Sequence, residues 1–108
     1  MGRGRGVTLD TDDRASLELL GKRVRLARLR RNLSQADMAE RAGVSRLTYQ
    51  RLEAGDSSTS LSLLVRTLAI FGYPDRIPGL LASDPDGEEI ELVTGRRHAG
   101  AKSDVADF

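Results

Sequence analysis

Residues 34–55 read SQADMAERAGVSRLTYQRLEAG and carry the start and stop signals of two short helices. Ser34 lies three residues before Asp37, which is the spacing of a capping box at a helix start. Gly43 can adopt the left-handed backbone that ends a helix, and Ser45 can cap a second helix. The spacing therefore predicts two helices joined by a tight turn.

The second helix is predicted over 46–54, with Gly55 as its stop. Tyr49 and Leu52 are three residues apart and form its inward stripe. Arginine can make two hydrogen bonds to guanine, glutamine can make two to adenine, and an aliphatic side chain can contact the thymine methyl group. A solvated helix face is the alternative for any one outward residue. The outward side chains of the second helix, together with the two capped helices and the turn between them, predict a DNA-reading helix-turn-helix. Its base-contacting residues would be Arg46, Leu47, Gln50 and Arg51.

A wider set of landmarks extends over about residues 20–72. It comprises Arg28 in a preceding helix, Ser34 and Gln35, Ala39, Gly43 to Ser45, and Glu53 to Gly55. In this combination the chain resembles the Xre/Cro family of lambda-repressor-like transcriptional regulators. The resemblance implies an all-α bundle of about five helices that contains a helix-turn-helix, with a possible short C-terminal β-strand.

The resemblance also implies roles for individual residues. Gln35 would hold a DNA phosphate or the first recognition residue, and Ser45 and Thr48 would also contact phosphates. Arg28 and Glu53 would form a structural pair inside the domain.

The chain departs from the family pattern at two places. Tyr49 stands where an aliphatic residue is usual, so its hydroxyl either finds a buried partner or leans toward the DNA backbone. The loop GDSSTSL at 55–61 lacks the usual proline, and Thr59 or Ser60 can cap the next helix instead.

Charge is distributed unevenly along the chain. Residues 22–51 hold nine Lys or Arg against two acidic residues, a balance of +7, whereas residues 52–108 hold five basic and ten acidic residues, although the whole chain has a net charge of +1. A cationic surface on the helix-turn-helix would bind phosphates with release of counterions, and a solvated basic face is the alternative. The candidate phosphate ligands are Arg23, Arg30, Arg31 and Arg41.

The remaining chain divides by composition. We expect a flexible Gly/Arg tail at 1–10, in which Arg3 and Arg5 can act as an arm along DNA. The DNA-binding domain is expected over 11–82, with further helices at 61–71 and 75–82. In the last of these, Ile77, Leu80 and Leu81 either fill the core or form a dimer contact. A polar tail at 96–108 is expected to be disordered.

Residues 83–95 combine a turn signal, SDPDG, with the alternating sequence EEIELVT at 88–94. Such alternation is typical of a half-buried strand, and a lone strand could pair with its copy in a homodimer. This resembles HipB-like antitoxins, in which a C-terminal strand joins the dimer and a HipA-like kinase toxin is the partner. An unstructured acidic tail is the alternative.

The composition argues against several classes of site and function. There is no cysteine and one histidine, His98, so we expect no disulfide, metal site or cofactor. No acid–base or nucleophilic constellation occurs, which argues against an enzyme. No apolar run is long enough to span a membrane, and a cytoplasmic location is expected.

These observations predict a sequence-specific DNA-binding transcriptional regulator. It would act as a homodimeric repressor on a palindromic operator, and as a special case it would be an autoregulating antitoxin of a kinase toxin. The alternative is a protein-interaction adaptor in which the helix-turn-helix is a scaffold and residues 77–93 carry the function.

Overall fold

The computed structural model describes residues 6–95, so Arg3, Arg5 and the tail at 96–108 lie outside the described residues. Between residues 6 and 95 there are five helices and no strand, and the predicted all-α class is confirmed. The helices are α1 (Thr11–Arg30), α2 (Gln35–Ala42), α3 (Arg46–Glu53), α4 (Leu61–Phe71) and α5 (Pro85–Thr94). Of the described residues, 6–77 form one compact unit and 78–95 form a second.

Side-chain caps set the limits of the central helices. The Ser34 hydroxyl accepts from the Asp37 backbone N–H at 2.9 Å, and the Asp37 carboxylate accepts from the Ser34 N–H at 2.9 Å, which is a complete capping box. Gly43 ends α2 with a φ of 75°. Ser45 then caps α3 by accepting from the Thr48 N–H at 3.1 Å. Both helices therefore begin where predicted, because a local cap sets each start, and α3 ends at Glu53, one residue before its predicted end.

The core of the first unit is formed by α1 to α4. Helix α3 packs against α1, α2 and α4, so it lies at the centre of the bundle, while its outward face stays open. Apolar burial of this kind is the main stabilising contribution in a small domain. The buried apolar residues are Val24, Met38, Ala39, Tyr49, Leu52, Leu63 and Phe71.

Gly21 marks the closest approach of α1 to α3. A Cβ at this position would lie against the backbone carbonyl oxygen of Glu53 and 2.9 Å from the nitrogen of Gly55. The glycine is therefore required for packing of two backbones rather than for a bend in α1, which is one continuous helix.

The spacing of Leu61, Leu64, Val65, Leu68 and Phe71 predicts an inward stripe on α4, and the structure buries this stripe only in part. Leu63, Thr67 and Phe71 are buried, whereas Leu61 and Val65 are 66% and 43% exposed. The segment LSLLVRTLAIF is apolar on nearly every side, so periodicity alone does not fix its orientation. The Ser60 hydroxyl caps the helix by accepting from the Leu63 N–H at 3.1 Å.

The prediction of a helix at 75–82 is wrong, because the structure has a series of turns there. Pro78 disfavours helical backbone at the residue before it, and Leu81 has a positive φ of 64°. Leu80 and Leu81 are 68% and 83% exposed.

The prediction of a strand at 88–94 is also wrong, because these residues belong to helix α5. Asp84 caps the helix by accepting from the Gly87 N–H at 3.1 Å, Pro85 occupies its first turn, and Gly95 ends it with a φ of 69°. These end signals outweigh the alternation of charged and apolar residues. The strand-mediated dimer and the unstructured acidic segment are therefore both excluded for residues 85–94.

Candidate nucleic-acid interface

The interface is built on a buried ion pair between α1 and α3. Arg28 Nε donates to Glu53 Oε2 at 2.7 Å, and a terminal guanidinium nitrogen donates to Oε1 at 3.1 Å. The side chains are only 8% and 4% exposed. Arg28 also donates to the carbonyl of Leu33 at 2.9 Å, which fixes the turn before α2. The pair that the resemblance implies is thus joined by two hydrogen bonds, and it lies at the C-terminal end of α3.

The hydroxyl of Tyr49 has a buried partner. It donates to Glu53 Oε2 at 2.6 Å, and the residue is fully buried, so the alternative of leaning toward DNA is wrong. Burial, together with the hydrogen bond to Glu53, raises the pKa of Tyr49. Burial alone would raise the pKa of Glu53, but the hydrogen bonds from Arg28, Tyr49 and Gln35 outweigh it and lower that pKa. The carboxylate is therefore charged at neutral pH.

We expect the domain to lose stability in acid through Glu53. The pKa of Glu53 in the folded protein is lower than its unfolded value of about 4.3. Its contribution to the free energy of unfolding is therefore complete above about pH 5 and is lost as the pH falls through the folded pKa. Denaturant unfolding at pH 7, 4 and 3 measures the decrease in the free energy of unfolding. The Glu53→Gln variant should show a smaller decrease, since only other carboxylates such as Asp37 and Asp56, whose pKa values are also lowered, remain to be protonated. Equal decreases in the two proteins would refute the assignment.

Gln35 connects this buried carboxylate to the outer face of α3. Its Nε2 donates to Glu53 Oε1 at 3.1 Å, and its Oε1 accepts from Gln50 Nε2 at 3.0 Å. The resemblance implies a contact of Gln35 with a DNA phosphate or with the first recognition residue. In the structure its hydrogen-bond partner on α3 is Gln50.

The outward face of α3 has two rows of side chains. Arg46 and Gln50 are four residues apart and share one row, and Leu47 and Arg51 share the next. Arg46, Leu47 and Arg51 are exposed, with Leu47 at 55%, while Gln50 is half-buried against α2. An apolar and two cationic groups thus project from a helix whose opposite face is fixed in the core.

A polar cleft of about 410 Å³ lies where α1, α2 and α3 meet. It is lined by Arg25, Arg28, Ser34, Gln35, Ala36 and Arg46. Two exposed arginines therefore flank the N-terminal end of α2, where backbone N–H groups and the helix dipole favour an anion.

Arg25 was missed as a candidate phosphate ligand. Its position can be inferred from sequence once Arg28 is assigned to the inward pair, because residues three apart in a helix share a side. Arg25 then lies on the same side of α1 as Arg28, and both line the polar cleft.

The other basic candidates are not in this cleft. Arg31 donates to the carbonyls of Ala27 at 2.8 Å and Phe71 at 3.0 Å, and its guanidinium lies 4.7 Å from the Phe71 ring centroid. It therefore joins the end of α1 to the end of α4. Arg23 and Arg30 are exposed on the side of α1 opposite its buried residues, and Arg41 is exposed in the last turn of α2.

Ser45 and Thr48 are engaged with each other at the start of α3. The Ser45 hydroxyl donates to Thr48 Oγ1 at 2.9 Å while it caps the helix. Ser45 remains exposed and Thr48 is half-buried, so the first turn of α3 still presents one hydroxyl to solvent.

A metal-binding cluster and a membrane-spanning helix are both absent from residues 6–95. No group of three or more His, Cys, Asp or Glu side chains is placed to hold a metal ion in this range, and His98 lies outside it. Among the described helices, none combines the length and apolar character needed to cross a membrane.

A capped helix-turn-helix with an open cationic face defines a DNA-binding domain of the transcription-regulator type. The comparison with family models agrees, since the model described as Helix-turn-helix matches residues 24–76. This segment belongs to the Xre/lambda-repressor-like helix-turn-helix family, whose domains bind double-stranded DNA. No curated protein and no solved structure gave a match.

Proposed function

We propose that this chain is a sequence-specific regulator that reads its operator by placing α3 in the major groove. The observation that carries the proposal is the outward face of α3, where Arg46, Leu47 and Arg51 are exposed beside the polar cleft. Two arginines suit guanine O6 and N7, and Leu47 suits a thymine methyl group. Gln50 completes the base-reading set.

Phosphate contacts fix the register of such a helix on the duplex. We propose Arg25 and Gln35 for this role because they line the cleft at the N-terminal end of α2, with Ser45 and Thr48 at the start of α3. Arg23, Arg30 and Arg41 contribute long-range attraction to DNA. Arg31 is left out because two of its N–H groups donate to backbone carbonyls and its guanidinium packs on the Phe71 ring.

The Arg46→Ala variant tests base reading. At the operator position that Arg46 contacts, we expect a loss of about 1–3 kcal/mol, whereas binding to unrelated duplexes should change little. Fluorescence anisotropy with operator and scrambled duplexes at one salt concentration measures both. Arg66→Ala is the matched control, since it removes the same charge from an exposed position on α4. An equal loss on both duplexes would assign Arg46 to a phosphate instead.

The regulator is proposed to act in the cytoplasm as a homodimer on a two-fold operator with half-sites about one helical turn apart, repressing by occlusion of a promoter. A small core supports this, because a domain of this size gains stability from burial in a dimer. Sedimentation equilibrium with and without operator DNA distinguishes a preformed dimer from two monomers that meet on DNA.

A protein-interaction role is the second candidate, and the unit from Pro78 onward favours it. In this unit Leu80, Ile90, Leu92 and Val93 are each more than 60% exposed, and α5 has acidic residues in its first turn. Such an exposed apolar set is typical of a protein contact. In the antitoxin form of the proposal, a HipA-like kinase toxin would occupy it. Binding of a candidate partner that depends on Leu80, Ile90 and Leu92, but not on Arg46 and Arg51, would support this role.

A further inference from the structure

The carboxylate of Glu53 is the first member of a chain of hydrogen bonds that leads from the core to the outer face of α3. It accepts two hydrogen bonds from Arg28, one from Tyr49 and one from Gln35. Gln35 in turn accepts from Gln50 at 3.0 Å. The last member belongs to the proposed base-reading face, so a buried charge is linked to a group that meets DNA.

The direction of each amide in this chain follows from the charge on Glu53. An ionised carboxylate has only acceptors, so Gln35 has to turn its NH₂ group toward Glu53. Its carbonyl oxygen then points to Gln50, and Gln50 has to turn its own NH₂ group toward Gln35. Gln50 is left with its carbonyl oxygen and one N–H for an outside partner.

This direction matters because adenine and guanine differ at the same two positions of the major groove. Adenine presents a donor, N6–H, and an acceptor, N7, whereas guanine presents two acceptors, O6 and N7. A glutamine offering one oxygen and one N–H complements adenine, while a glutamine offering both N–H groups complements guanine. An unrestrained glutamine can turn its amide to suit either purine.

We propose that Glu53 acts through Gln35 as a positioning residue that fixes the amide of Gln50 for adenine and against guanine. The inference rests on the proposed function, since it concerns the same reading face. It assigns a specificity role to two residues, Glu53 and Gln35, of which Glu53 is buried.

Replacement of Gln35 by lysine reverses the direction of the hydrogen bond between residue 35 and Gln50. The ammonium group has only donors, so it can donate to Glu53 and to the carbonyl oxygen of Gln50, which then presents its NH₂ group outward. Replacement by alanine removes the restraint and leaves Gln50 free to turn. The base at one operator position therefore reports the orientation of the Gln50 amide.

The test compares base preferences at every operator position for four proteins: the native chain, Gln35→Lys, Gln35→Ala and Gln50→Ala. Each is first melted to establish that it folds. Competitive binding to a set of duplexes with single-base changes gives the preferences. A change of phosphate affinity would alter all duplexes equally, so it does not imitate the expected result.

The native chain should favour adenine over guanine by about tenfold at one position in each half-site. Gln50→Ala should abolish that preference, Gln35→Ala should reduce it, and Gln35→Lys should shift it to guanine, with the other positions unchanged. An adenine preference that Gln50→Ala abolishes but neither Gln35 variant alters would overturn the inference and leave the proposed function intact. Absence of any sequence preference in the native chain would overturn both.

Discussion

Replacing Arg28 by alanine should destabilise the domain by about 3–5 kcal/mol. The substitution leaves the carboxylate of Glu53, whose side chain is 4% exposed, without its cationic partner. It also removes the donor to the Leu33 carbonyl, which ties the end of α1 to the turn before α2. A loss of this size is a large part of the stability of a small domain. Urea unfolding at pH 7 measures it.

The double variant Arg28→Met, Glu53→Met separates loss of the pair from exposure of a lone charge. Two apolar side chains leave no buried carboxylate, so this protein should be more stable than Arg28→Ala. Its DNA specificity should still suffer, because Gln35 loses the acceptor that orients it. An unfolding free energy of Arg28→Ala equal to that of the native chain would exclude a structural role for the pair.

Replacing Gly21 by alanine should also destabilise the domain, although alanine is the better helix former. Propensity alone predicts a gain of about 1 kcal/mol within α1. The new methyl group, however, would lie against the backbone of Glu53 and Gly55, and backbone atoms cannot rotate away. Separating α1 from α3 should cost about 1–3 kcal/mol more than the propensity gain.

Thermal melting of Gly21→Ala beside Ser16→Ala measures this effect. Ser16 is exposed on the same helix, so its replacement should report propensity alone and stabilise slightly. A higher melting temperature for Gly21→Ala would refute the close approach of the two helices.

The helix-turn-helix could be predicted from sequence because its signals are local. Ser34, Gly43 and Ser45 each act on residues within one turn, and the structure has the corresponding hydrogen bonds or backbone angles. The same reasoning covers the end of α1, because asparagine tolerates the left-handed backbone that ends a helix and Asn32 has a positive φ of 55°. Local capping chemistry is independent of how the helices pack.

The buried face of α4 and the fifth helix could not be predicted in the same way. Thr67 is fully buried and Leu61 is exposed, an outcome that depends on which neighbours α4 meets and not on its own spacing. At 85–94, the alternation of EEIELVT favours a strand, whereas Asp84, Pro85 and Gly95 favour a helix. Conflicting local signals are resolved by the cap residues in this case.

At the interface, sequence chemistry identified side chains but not their partners. Arg46, Leu47 and Arg51 are exposed, as a reading face requires. The bond between Gln35 and Gln50 joins residues 15 positions apart, and the contacts of Arg31 with Phe71 join residues 40 positions apart. Such contacts depend on the packing of four helices, which periodicity in one helix does not specify.

Selection of binders from a random duplex-DNA library is the measurement we would make first, with the native chain beside an Arg46→Ala, Arg51→Ala double variant at moderate salt. We expect the native chain to enrich a two-fold symmetric motif with half-sites about 10 base pairs apart, and the double variant to enrich none. Enrichment of the same motif by both proteins would show that α3 does not read bases. No enrichment by the native chain would refute sequence-specific recognition by this domain.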